Sequence, residues 1–414
     1  MQISFLLMLF FSVFFVSPLV TRDQRDQRDQ RDRKENRYGM QELICQTRYT
    51  RDANIVVTLV VENLHPVCDI ETLPDGRVLV LCLGGVVLQL PIPIDNRVTY
   101  SYPYRENVYY TDKDVYFERS SKGILEGVFD MTVDPDFLKN KYVYVLYSKK
   151  ERKQISIQLS RFTDIGVTWT DEVFLYNIPI SGKMENLGAR VLIGYDGKIY
   201  ITLGDQENPD KAQNLHTLAG KTIRLNKDGT VPINNPFRYK ADARTEIYTF
   251  GHRNPVGLAM HPITKQLYIF EAGASGYDRV EGGDELNLLI KGHNYGWPII
   301  YQDKKRKGME VPLVQFTPSN IPGDMIIYDG TMFPQWQGDL FVANNRGPVY
   351  HVKMQDGKVI GYTDLGIIMG SALAVDVDGS ILVGTTGRGL VGWGWEPSYW
   401  ADHTEYKIFR ISTN

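Results

Sequence analysis

Short runs of alternating apolar and polar residues recur along this chain, each introduced by a turn. Pro74-Asp75-Gly76-Arg77 leads into Val78-Leu79-Val80-Leu81, Asp134-Pro135-Asp136-Phe137 into Tyr142–Leu146, and Asp196-Gly197-Lys198 into Ile199-Tyr200-Ile201. The same phrase returns as His261-Pro262 before Leu267-Tyr268-Ile269, as Gln337-Gly338-Asp339 before Leu340-Phe341-Val342, and as Asp378-Gly379-Ser380 before Ile381-Leu382-Val383. A period of two, carried by β-branched and aromatic residues, marks half-buried strands, and Gly, Asp and Pro supply the turns between them. No long stretch sustains the 3.6-residue period of a helix, although Lys211 to Lys221 is a candidate for a short helical or turn segment. Six copies spaced roughly 40 to 70 residues apart suit four-stranded blades with unequal loops. The expected fold is all-β, a six-bladed β-propeller, with a pair of β-sandwiches as the alternative.

The N-terminal part of the chain follows a different pattern. Ile3 to Val20 is almost wholly apolar, and charge begins abruptly at Arg22. That reads as a secretory signal over residues 1–21, with a retained membrane anchor as the competitor, since about 18 apolar residues can just span a bilayer. Residues 22–44 open with Arg-Asp-Gln repeated three times and carry too little apolar surface to offset ordering, so they are expected to be a disordered charged linker. Residues 45–414 then form the propeller of a secreted protein, in contact with membrane only if the N-terminal segment is kept. The whole chain of 414 residues has a formal net charge of -3, which gives no long-range attraction for nucleic acid or an anionic membrane. Three cysteines allow one disulfide, with Cys45 and Cys68 the chosen pair and Cys82 a buried thiol inside Val78 to Leu83.

Loops at one end of a propeller converge on its axis, so residues distant in sequence can share a pocket. The richest candidate runs from Gly251 to Pro298. It contains Gly251-His252-Arg253-Asn254-Pro255, Glu271-Ala272-Gly273, Gly283-Asp284-Glu285-Leu286-Asn287-Leu288 and Asn294-Tyr295-Gly296-Trp297-Pro298. Lys183 to Arg190, Gly204 to Asn208 and Asn344 to Gly347 are candidates for the same pocket. The same residue types also build ordinary solvated connections, which is the competing reading.

These motifs, together with Leu203-Gly204-Asp205 and Phe333-Pro334-x-Trp336-x-Gly338-Asp339, occur in an order that resembles the glucose/sorbosone dehydrogenases. That family of six-bladed quinoproteins includes soluble PQQ-dependent glucose dehydrogenases and aldose dehydrogenases, and the resemblance covers about Val67 to Ser412. It implies oxidation of a sugar C1 hydroxyl. A histidine takes the proton, hydride passes to PQQ, and Arg, Lys, Asn and a calcium ion hold the cofactor; a sugar and an electron acceptor are the implied partners.

Carried over residue by residue, Arg253 and Asn254 match the PQQ-facing pair, and Arg346 falls where a PQQ-binding lysine stands. Gly273 and Ala274 fall where two backbone carbonyls reach calcium, and Asp284, Glu285 and Tyr295 fall in a second, structural calcium region. The competing readings are an ion pair through Arg253 that pins a loop, and a hydrogen-bonded turn at Asp284 to Tyr295. The family's Asp-His-x-x-Gly-Arg segment aligns with Glu185-Asn186-Leu187-Gly188-Ala189-Arg190, so Asn186 replaces the base. A neutral amide cannot take the proton, which leaves Glu185 as the first substitute and Asp130 as the second. Two late cofactor-binding arginines align with Met369 and Ser371. The resulting functions are a sugar dehydrogenase with a modified base, a non-catalytic propeller binding carbohydrate or protein, and a structural surface protein.

Overall fold

The computed structural model describes residues 47–49, 54–64, 66–82, 86–90, 100–101, 108–110, 118–119, 125–385 except 153, 182, 184, 277 and 369, and 406–413. The expected leader, the charged linker, Cys45 with its pairing to Cys68, and Met369 lie outside the described residues.

Six sheets form the blades of a propeller, each an antiparallel run of strands from the axis outward. Blade I begins with Val67–Thr72, blade II with Val128–Val133, blade III with Gly188–Ile193, blade IV with Pro255–Met260, blade V with Pro322–Ile327 and blade VI with Gly370–Val375. The recurring turns join the first strand of each blade to its second. In four of them an Asp side chain accepts the N–H two residues on, as Asp75 does from Arg77, Asp134 from Asp136, Asp196 from Lys198 and Asp378 from Ser380. The helical or turn candidate is a 3-10 helix over Pro209–Gln213, begun by a proline that favours a helix start, followed by turns up to Gly220, and Lys221 opens the strand Lys221–Asn226.

Blade VI is completed from the other end of the chain. Asn54–Leu64 pairs antiparallel with Tyr406–Ser412, in a register that sets Val57 against Ile411 and Leu64 against Tyr406. Ile55 is fully buried there among Tyr328, Phe341, Ile381 and Ile411. Between other blades the faces interlock in the same manner, with Leu146, Ile157 and Leu159 of blade II against Ile199, Ile201 and Ile223 of blade III.

Every innermost strand carries a bulge near its start, at Val67/Asp69, Val128/Asp130, Gly188/Val191, Pro255/Gly257, Pro322/Asp324 and Gly370/Ala372. A bulge re-aims side chains out of the pleat, and here the residues beside it join neighbouring blades. Asp69 accepts Met131 N–H at 3.2 Å, Asp130 accepts Val191 N–H at 2.6 Å and Asp324 accepts Leu373 N–H at 2.8 Å. From blade VI, Ser371 Oγ donates to Val67 O at 3.0 Å. Arg190 spans the middle, donating to Asp130 at 2.9 Å, Val256 O at 2.5 Å and Gly323 O at 2.6 Å, with Cys68 O at 3.4 Å. One guanidinium on blade III therefore ties blades I, II, IV and V. Burial lifts the carboxyls of Asp69, Asp130 and Asp324, that of Asp130 to about 7, against the pull of the Arg190 charge.

Candidate functional site

The start of a blade's first strand and the end of its second lie side by side, so both loops there open on one rim of the propeller. Asn186 enters blade III, Asp205 follows its second strand Lys198–Leu203, and Arg253 with Asn254 enters blade IV. Ala272 to Ser275 follow Leu267–Glu271 in blade IV, and Arg346 follows Leu340–Asn344 in blade V.

The turn carrying Arg253 is shaped from inside. Gly251 has φ +82, and a Cβ there would lie 2.3 Å from Asn294 Oδ1, so only glycine suits the position. His252 is fully buried, stacks on Tyr295 at 4.6 Å, and places its Nε2 2.8 Å from Thr249 Oγ1 and its Nδ1 3.2 Å from Glu271. The other Glu271 oxygen accepts Arg253 N–H at 3.0 Å, so one carboxylate holds the histidine ring and the next peptide together. His252 thus orders the Arg253 turn.

Asp205 is the meeting point of this rim. Its N–H donates to Arg253 O at 2.7 Å, its Oδ1 accepts Asn186 Nδ2 at 3.1 Å, and its Oδ2 accepts the Trp297 indole N–H at 2.9 Å. Asn254 Oδ1 accepts Gly188 N–H at 2.9 Å, which closes the ring of contacts back to the Asn186 loop. Asn186 itself has φ 51, in the left-handed region that asparagine tolerates. Burial lifts the Asp205 carboxyl above its usual range, opposed by the Arg253 charge and the bonds from Asn186 and Trp297. The sequence pattern points to Asn186, Arg253 and Asn254 but not to Asp205 and Trp297 as their junction, although these lie in Leu203-Gly204-Asp205 and Asn294-Tyr295-Gly296-Trp297-Pro298. Glu185, the expected substitute base, is buried one residue before Asn186.

Arg253 is 3% exposed, and all three guanidinium nitrogens meet acceptors on the loop after blade IV's second strand. Nε donates to Asp278 at 2.8 Å, Nη1 to Ala272 O at 3.2 Å and Nη2 to Ser275 Oγ at 2.7 Å, while the guanidinium lies 5.5 Å from the Trp297 ring centre. The competing ion-pair geometry weighed for Arg253 is therefore present. Burial would lift the Asp278 carboxyl, but the Arg253 charge and the hydrogen bonds from Arg253 and from the Ser275 and Arg279 N–H groups together hold it below its ordinary range.

The remaining predicted residues form a separate network. Asp284, fully buried, accepts Gly273 N–H at 2.9 Å, Ser319 Oγ–H at 2.7 Å and Asn320 N–H at 2.7 Å. Arg346 is exposed, and its N–H donates to Asn320 O at 2.9 Å. Ala274 O accepts Gly282 N–H at 3.0 Å. Glu285 accepts Asn287 Nδ2 at 3.2 Å, and burial beside Glu271 pushes its carboxyl up to about 8. The Tyr295 hydroxyl donates to Leu288 O and accepts Ile290 N–H at 2.8 Å.

This donor set does not make a calcium cage. The carboxylate of Asp284 and the hydroxyl of Tyr295 are turned to partners within the chain, and among the described residues no three His, Cys, Asp or Glu side chains converge on a metal position. Toward a tricarboxylate cofactor the arrangement is closed, because Asp278 already grips Arg253 and Ser371 is turned to the backbone of blades I and VI.

The sequence matches the family described as Glucose / Sorbosone dehydrogenase over residues 64–390. An aldose sugar dehydrogenase of Escherichia coli is 31% identical over 240 residues, covering 52% of this chain and 62% of that protein. Quinoprotein glucose dehydrogenase B of Acinetobacter calcoaceticus is 33% identical over 205 residues, covering 43% of this chain and 41% of that protein. The chain thus spans less than two thirds of these relatives' own length. The crystal structure of a putative oxidoreductase (glucose dehydrogenase) from Thermus thermophilus superposes with a TM-score of 0.70 at 27% identity, covering 86% of this chain and all of that one.

Proposed function

The chain belongs to the glucose/sorbosone dehydrogenase family, and from that premise we propose that it is a sugar dehydrogenase of the quinoprotein type with slow turnover. It acts on an aldose at the C1 hydroxyl and passes the electrons to an external acceptor. A secreted location, with residues 1–21 as leader, belongs to the same proposal. The observation that carries the reading is the junction of Asn186, Asp205, Trp297 and the Arg253 turn on one rim.

Oxidation of a cyclic aldose to its lactone removes a hydride from C1 and a proton from the hydroxyl. Asn186 has no basic atom for that proton, but its amide holds Asp205 from one side while Trp297 holds it from the other. Asp205 is then the carboxylate placed to accept the proton, and burial makes it a better base than an exposed aspartate. The Trp297 indole N–H and the bond from Asp205 N–H to Arg253 O keep its orientation fixed. The side-chain bonds that position the Asp205 carboxylate also restrain its basicity.

The test is dye reduction by a panel of aldoses at saturating PQQ and calcium, with wild type beside Asn186→His. Histidine also tolerates the left-handed backbone at this position, and an imidazole base added beside Asp205 is expected to raise turnover, by at most roughly 10² to 10⁴. Aldose-dependent dye reduction in neither protein would sink this reading. A second reading, a sugar-binding propeller without turnover, draws on the Asp278 grip on Arg253 and predicts calorimetric sugar binding without dye reduction.

A further inference from the structure

We propose that Asp278 is an internal ligand of the Arg253 site, so that an external carboxylate binds there only by displacing it. The inference rests on the reading of this rim as the ligand pocket. The loop from Ala274 to Gly282 is closed at its base by an antiparallel bridge between those two residues. Within it, Asp278 Oδ1 accepts Ser275 N–H at 3.0 Å and Arg279 N–H at 2.8 Å, which folds the loop tip, and Oδ2 faces the Arg253 Nε–H at 2.8 Å. The two oxygens thus have separate jobs: one shapes the loop, and the other occupies the guanidinium. The side chains of the pair are 4% and 8% exposed, so the contact is shielded from water. Arg279 then covers the aromatic wall, its guanidinium 6.0 Å from Trp297 and 5.9 Å from Tyr301.

A carboxylate paired with a guanidinium N–H is an arrangement by which arginine recognises acidic ligands, and Asp278 takes Nε while Nη1 and Nη2 meet Ala272 O and Ser275 Oγ. Here the protein supplies that carboxylate itself, and any acidic ligand competes with a tethered one whose local concentration is high.

Asp278→Asn separates the two roles. Its amide oxygen keeps the loop bonds to Ser275 and Arg279, while its NH₂ turns a donor toward a donor and abolishes the grip on Arg253. Two measurements decide the matter in the full chain. Equilibrium dialysis with PQQ is expected to show binding at least about tenfold tighter for Asp278→Asn than for wild type. Limited trypsin digestion, which needs no cofactor affinity, is expected to cut after Arg279 several times faster in the variant, and faster in wild type when PQQ is added. Equal PQQ affinity in the two proteins, or no binding by either, overturns the proposal. So does an unchanged rate of cleavage after Arg279. Equal and tight binding overturns the internal ligand yet leaves the sugar-dehydrogenase reading standing, whereas the dye assay on Asn186→His tests that reading separately.

Discussion

Replacing Arg190 by Met should destabilise the propeller more than any other single change at its axis, and should do so in a pH-dependent way. The substitution removes charge-assisted bonds to Asp130, Val256 O and Gly323 O and leaves Asp69, Asp130 and Asp324 facing one another. Breaking a buried ion pair from one side costs about 3 to 5 kcal/mol. Hydrogen bonds to a charged group are worth roughly 1.5 to 3 kcal/mol each, but they share one guanidinium and do not add. A loss of about 5 kcal/mol at pH 8 is the working figure, set against a total stability of about 5 to 15 kcal/mol for a folded domain. The carboxyls of Asp69, Asp130 and Asp324 already sit above their ordinary range, and without the cation they rise further. Protonation at pH 5 therefore relieves the repulsion and should reduce the loss to about half. Urea titration followed by tryptophan fluorescence measures both values, with Arg190→Lys as an intermediate that keeps charge but not the fork. A loss below about 1 kcal/mol at pH 8, or an equal loss at both pH values, would show that the guanidinium does not hold the axis together.

Glu285→Gln should flatten the pH dependence of stability. Its folded pKa of about 8 lies above the unfolded value, so its contribution is complete below about pH 4.5 and is lost as pH rises through 8. Glutamine mimics the protonated acid, and urea midpoints should match wild type below about pH 4.5 and exceed it by a margin that grows until the pH passes 8; a deficit above pH 8 contradicts the assignment. Ile55→Ala empties a fully buried position in the closure of blade VI and should cost about 2 to 5 kcal/mol, whereas Leu138→Ala, 61% exposed, should stay within about 0.5. Equal effects of the two would mean that Asn54–Leu64 is not part of the folded ring.

The blades were legible because each announces itself locally. Asp196-Gly197 followed by Ile199-Tyr200-Ile201 contains both the turn and the strand, and a reader needs nothing more distant to find it. The closing strand gives no such notice: Ile55 to Val61 is an apolar run like any other, and its partner Tyr406–Ser412 lies at the far end of the sequence. The rim was half legible for the same reason. Arg253 and Asn254 stand in a recognisable motif, but Asp205 and Trp297 meet them only because loops of two blades share one edge. Asp278 had no signal at all, being one polar residue in a polar loop whose destination depends on where that loop folds back.

The pairing of Asn54–Leu64 with Tyr406–Ser412 also fixes how the molecule responds to force. The strands run antiparallel with Val56 opposite Ser412 and Leu64 opposite Tyr406, so the outward ends of both leave from the same edge of the sheet. A pull applied at those ends loads the rungs in succession from Val56/Ser412 inward, as a zipper is drawn, and never in parallel shear. The ring should therefore open at low tension through its clasp, with Leu64 and Tyr406 the last pair to part and the five other blades still intact behind it.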